Sequence, residues 1–192
     1  MKKKIINCIS KYVDADEDML VIYKYGIDII INKLVHIFFI CIIGYLYNVL
    51  FETVLFLVFY STLREYSGGF HASTKIRCFI CTLFVTFMMI ILIRIFAQFS
   101  YLLKNLLLII YGIIIMTFSP QDTPHKPLNS KERVVYRKKT GKYLLIQVLF
   151  VYISSFYFEC FDVLVIAWTI QTFMLLFGYL KNKNNCVKVN KL

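Results

Sequence analysis

The chain reads as runs of apolar residues broken by short polar stretches, with no sustained alternation of apolar and polar positions. Such runs predict helices, because a half-buried strand would alternate with a period of two. Six candidate spans emerge, at 28–47, 49–63, 78–94, 102–118, 143–158 and 163–180. Several are shorter than the roughly 20 residues that a full bilayer crossing takes. Ahead of them, Ile5, Ile6, Ile9, Tyr12 and Val13 recur at helical spacing, with lysines at 2, 3, 4 and 11. That pattern predicts an amphipathic helix lying in the membrane interface. Asp14 followed by Glu17 has capping-box spacing and predicts a second helix start there. The polar connections are 64–77, between the second and third spans, and 119–142, which holds all three prolines. No internal repeat is visible, so an inverted-repeat transporter is not supported.

Composition excludes a water-soluble fold. Hydrophobic residues make up 59% of the 192, against roughly 45–50% in globular chains, and the mean hydropathy is +0.69. The 22 Lys and Arg outnumber the 11 Asp and Glu, for a net charge of +11. If the N-terminus is cytoplasmic and the chain alternates, nineteen of the 22 basic residues fall on the cytoplasmic side. The outer turns keep only Arg94 and Lys104, with Lys33 near a helix start. The positive-inside rule favours that orientation. The expected fold is an all-α polytopic membrane protein, a single domain over 1–192. It has about six transmembrane helices after the interfacial helix, and both termini are cytoplasmic. The basic surplus then reflects topology and anionic lipid headgroups in the bilayer rather than nucleic acid. The six cysteines are irregularly spaced and form no disulfide framework.

The connection at 64–77 could carry chemistry. It runs Arg64-Glu-Tyr-Ser-Gly-Gly-Phe-His71-Ala-Ser-Thr-Lys-Ile-Arg-Cys78. A Cys–His pair is the minimum for thiol catalysis, in which imidazole takes the thiol proton and the thiolate attacks a carbonyl. Lys75 and Arg77 nearby would favour the thiolate. On one continuous helix, His71 and Cys78 would lie ~10.5 Å apart along the axis. Direct transfer needs roughly 2.6–3.2 Å, so the intervening chain must bend. Gly68 and Gly69 permit such a bend upstream. Cys78 and Cys81 have CxxC spacing, but without the strand context of a redox motif. No metal or organic cofactor is indicated. Asp28, Asn32 and His36 recur every fourth residue along the first span, a polar stripe that reads first as helix–helix glue.

The pattern Arg64-(x3)-Gly-Gly-(x)-His71-(x6)-Cys78 resembles the active-site segment of the AgrB family, membrane endopeptidases of Gram-positive quorum sensing. Ser119-Pro120-Gln-Asp122-Thr-Pro124-His-Lys126-Pro127, with the basic run to Lys142, resembles the family's proline- and lysine-bearing cytoplasmic loop. His125 stands where many relatives have Asn or Lys. The resemblance covers essentially the whole chain.

The resemblance implies a plasma-membrane enzyme of a Gram-positive bacterium, with its active site on the cytoplasmic side. Its substrate would be a short AgrD-like pro-peptide with an amphipathic leader and an acidic tail. Cys78 would be the nucleophile and His71 the base. The resulting peptidyl thioester would close to a thiolactone or lactone. Arg64 is expected to anchor the loop or steady the oxyanion, with anchoring favoured. Gly68 and Gly69 would donate to the oxyanion or simply form the turn. Lys126, Lys131, Arg133, Arg137, Lys138 and Lys139 would hold the acidic tail, or else face lipid headgroups. A homodimer stays open. The rival reading is a membrane exporter of a signalling peptide with no proteolytic step.

Overall fold

The computed structural model describes residues 17–70, 74–122, 128–154 and 160–189; side chains are not described for 17, 18, 20, 75 and 184–189. The expected interfacial helix at 2–13 and Asp14, expected to cap the helix after it, lie outside these residues, as does the end of the span predicted at 143–158. The described residues form six helices and no strand: α1 Glu17–Leu46, α2 Leu50–Ser67, α3 Lys75–Phe96, α4 Tyr101–Phe118, α5 Ser130–Ser154 and α6 Cys160–Val189. Four of them are long and apolar enough to cross a membrane, over Val21–Leu46, Ile76–Phe96, Tyr101–Phe118 and Cys160–Lys183. The other two carry more charge: α2 includes Glu52, Arg64 and Glu65, and the first half of α5 is strongly basic.

The chain divides into two compact units, residues 1–42 and 43–192. The first contains most of α1, where Asp28, Asn32 and His36 fall on one helical face. The second holds the end of α1 and the other five helices. It opens on a tight reversal. Asn48 takes a φ of 56°, a left-handed geometry that Asn tolerates, and Val49 N–H returns to Gly44 O at 2.9 Å. A Cβ at Gly44 would come within 2.5 Å of Thr53 Oγ1, so glycine there allows the close approach of α1 to α2.

The axis of this second unit is α6. From Cys160 to Thr172 every residue but Asp162 is buried, and α2, α3, α4 and α5 all pack against it. A helix apolar on all sides needs such a surround. Its polar groups are matched from neighbouring helices. Trp168 Nε1 donates to Gln147 Oε1 of α5 at 2.8 Å. Gln147 in turn donates to Phe59 O and Thr62 Oγ1 of α2, both at 2.9 Å. At the N-terminal ends of α4 and α6, Lys104 pairs with Asp162 at 2.6 Å. An apolar groove of about 640 Å³ is lined by residues of α4 and α5, among them Arg137, and by Trp168 of α6.

The two polar connections are shorter than the sequence pattern suggested. The one at 64–77 is helical up to Ser67 and again from Lys75. The one at 119–142 is helical from Ser130. Asn129 Oδ1 accepts from Ser130 N at 2.7 Å, and Glu132 reaches back to Asn129 N at 3.0 Å. This capping holds the start of a helix whose basic first half had read as connection.

Candidate active site

Cys78 lies in the first turn of α3. Thr74 is the N-cap, with extended backbone, and its hydroxyl accepts from Arg77 N at 3.3 Å. Cys78 N–H closes the turn onto Thr74 O at 3.0 Å. The thiol is half-buried and free, as is that of Cys81 one turn on. Because Cα–Cβ bonds lean toward a helix's N-terminus, the Cys78 side chain points to the end of α3 where backbone amides are unpaired.

On α2 stands a pair spaced by one helical turn. Arg64 Nη1 donates to Tyr60 OH at 2.6 Å, and Nη2 donates to Phe70 O at 2.6 Å. One guanidinium thus ties α2 to the carbonyl immediately before His71. His71 itself, with Ala72 and Ser73, lies outside the described residues.

Gly68 and Gly69 make the turn that leaves α2. Their φ angles are 76° and 135°, a region that L side chains rarely enter. Gly68 N–H donates to Arg64 O at 3.1 Å as the C-cap of α2, so it is already engaged. The turn rests on α6 and on the segment after α4. Phe70 N donates to Met174 O at 2.9 Å, and Gln121 N donates to Ser67 O at 3.0 Å. Gln171 Nε2 reaches Ser67 Oγ at 2.6 Å and Gly68 O at 2.9 Å. The start of the 119–142 segment and the turn before His71 therefore sit side by side.

The expected tail-binding residues spread along α5. Lys131, Arg133, Arg137, Lys138 and Lys139 are all exposed. Arg133 forms an ion pair with Asp122. Lys139 lies 5.0 Å above the Tyr66 ring, which stacks on Tyr143. Lys126 and the residues from 123 to 127 lie outside the described residues. Among the described residues, no group of three His, Cys, Asp or Glu is gathered to hold a metal.

Sequence reading singled out Arg64, Gly68, Gly69 and Cys78, and the structure joins Arg64 to the glycine turn through Gly68 N–H and the Phe70 carbonyl. It passed over Tyr60, whose four-residue spacing from Arg64 was a usable signal. It also passed over Gln171, Gly178 and Asn182, whose partners lie far away in sequence.

The model of the family accessory gene regulator B (AgrB) matches residues 2–175. The chain belongs to the AgrB family. Two AgrB-like proteins of Clostridium perfringens, from strain 13 / Type A and strain SM101 / Type A, are each 27% identical over 161 residues. Each alignment covers 81% of this chain and 75% of the relative. A further AgrB-like protein of strain 13 is 24% identical over 187 residues, 95% of this chain and 97% of its own length. No solved structure matches the chain. AgrB proteins act with an AgrD-like peptide in the processing step of agr quorum sensing, and the apolar helices found here are compatible with the family's membrane association.

Proposed function

We propose that this AgrB-family chain is a membrane cysteine endopeptidase that removes the acidic C-terminal tail of an AgrD-like pro-peptide and hands the remainder on for cyclisation. The observation that carries the reading is the placement of Cys78. It is half-buried and free in the first turn of α3, at the far end of the short segment whose other end, the Phe70 carbonyl preceding His71, is held by Arg64. His71 takes the Cys78 proton, and the thiolate adds to the peptide carbonyl before the tail. The tetrahedral adduct collapses, the C–N bond breaks, and the imidazolium returns its proton to the departing amine of the tail. A peptidyl thioester is left on Cys78. A thiol or hydroxyl of the same peptide then attacks that carbonyl, freeing Cys78 and closing the ring. Excluding water from the acyl-enzyme favours this outcome.

The reading extends to topology. We place α2 and α5 as two further crossings beside the four more apolar ones, with both termini and the Cys78 end of α3 in the cytoplasm, the side to which the positive-inside rule assigns the basic start of α5. The exposed Lys and Arg of α5 then meet the acidic tail there.

The test is reconstitution of the full chain in liposomes with its pro-peptide. Cys78→Ala and Cys78→Ser should abolish tail release, and Cys81→Ala should leave it nearly intact. Release at the wild-type rate by both Cys78 variants would overturn the assignment.

A further inference from the structure

One face of α6 carries the residues Gln171, Leu175, Gly178 and Asn182, separated by alternating steps of four and three, so they stack along a single stripe. Every rung of that stripe meets one of the two segments that sequence reading had marked for chemistry. Gln171 holds Ser67 and Gly68. Leu175 O accepts from Gln121 Nε2 at 2.6 Å. Asn182 Nδ2 donates to Asp122 O at 2.9 Å. Between them, Gly178 is the point of closest approach. A Cβ there would lie 2.3 Å from Gln121 Oε1 and 2.9 Å from both Gly69 C and Phe70 N.

The physical reason for glycine at 178 follows from helix geometry. Side chains three and four residues on cover a helical carbonyl from outside, and Gly178 occupies those positions relative to Leu175 and Met174. With no side chain there, Met174 O and Leu175 O can each accept a second hydrogen bond, from Phe70 N and from Gln121 Nε2. Asp122, held by Asn182, also pairs with Arg133 at the start of α5. The stripe therefore fixes the turn that leads to His71 and the 119–122 segment against each other.

We propose that Gln171, Gly178 and Asn182 of α6 are positioning residues: the template on which the backbone leading to His71 is set relative to Cys78, without themselves touching substrate. This rests on the Cys78–His71 reading and deepens it.

The test uses the full chain in nanodiscs and needs no peptide. The rate of iodoacetamide alkylation at Cys78 is followed by peptide mapping across a pH series. A thiolate supported by His71 reacts at neutral pH, whereas an unsupported thiol is only a few per cent ionised there. His71→Ala should slow alkylation at neutral pH by about tenfold and shift the profile to higher pH. Gly178→Ala and Gln171→Leu should reproduce that shift. Gly112→Ala is the control, because its Cβ on α4 would press on the Trp168 ring of α6 at 3.0 Å, away from the turn. It should keep the wild-type profile.

A wild-type profile for His71→Ala would overturn the Cys–His reading itself. A shifted His71→Ala with unshifted Gly178→Ala and Gln171→Leu would overturn the template and leave that reading standing. A shift in Gly112→Ala as large as in Gly178→Ala would also overturn it, since general loosening would then suffice. Should Gly178→Ala not be recovered folded, Gln171→Leu and Asn182→Ala decide by the same profile.

Discussion

Arg64 spends its two terminal nitrogens on different elements, one on Tyr60 within α2 and one on the Phe70 carbonyl beyond the glycine turn. A planar fork can do this; an ammonium on a flexible stem holds such a bridge poorly. Arg64→Lys should therefore leave a folded protein whose tail release falls by about tenfold or more, an effect of misplacing the reacting groups. Tyr60→Phe, which removes one acceptor, should cost about 1 kcal/mol, read by equilibrium unfolding in mixed micelles. An Arg64→Lys variant as active as wild type would remove the bridge from the account. At this scale the sequence was most informative where interactions are local. Arg64, Gly68 and Gly69 stand within a few residues of what they shape, and Tyr60 is one turn from Arg64. Gln171 and Asn182 looked like generic polar residues in or beside an apolar run, because their partners at 67–68 and 122 become neighbours only after the helices pack.

At the scale of elements, apolar runs marked the cores of all six helices but not their ends. The pattern follows burial, whereas α2 extends to Ser67 and α5 begins at Ser130 through capping and helix propensity in polar sequence. The pattern was also silent about which helix is central. Length and hydropathy make α3, α4 and α6 alike, yet α6 alone is buried on all sides over its first half. Gln147 of α5 joins that half to α2 through Trp168, Phe59 and Thr62. Gln147→Leu keeps the size but strands the Trp168 N–H. It should destabilise the bundle by about 1–2 kcal/mol, the upper range for hydrogen bonds between membrane helices. Denaturation in mixed micelles measures this, and an unchanged midpoint would mean that α5 is held by packing alone.

At the scale of the whole molecule, the distribution of charge and the site agree with one another. Lys104 and Asp162 neutralise each other where α4 and α6 begin. The basic start of α5 and the ion pair of Arg133 with Asp122 lie beside the segment that docks on the turn before His71. On the reading proposed here, a pro-peptide would meet positive charge for its tail and a thiol for its scissile carbonyl on one face of the bundle. The claim that unites these parts is that Cys78 becomes acylated. Its most direct test is mass spectrometry of the reconstituted chain, acid-quenched during processing of an AgrD-like pro-peptide. The account predicts a hydroxylamine-labile adduct on the peptide containing Cys78, equal to the pro-peptide without its tail and absent in His71→Ala. Tail release with the adduct on another residue, or with the same yield from Cys78→Ala, would contradict it.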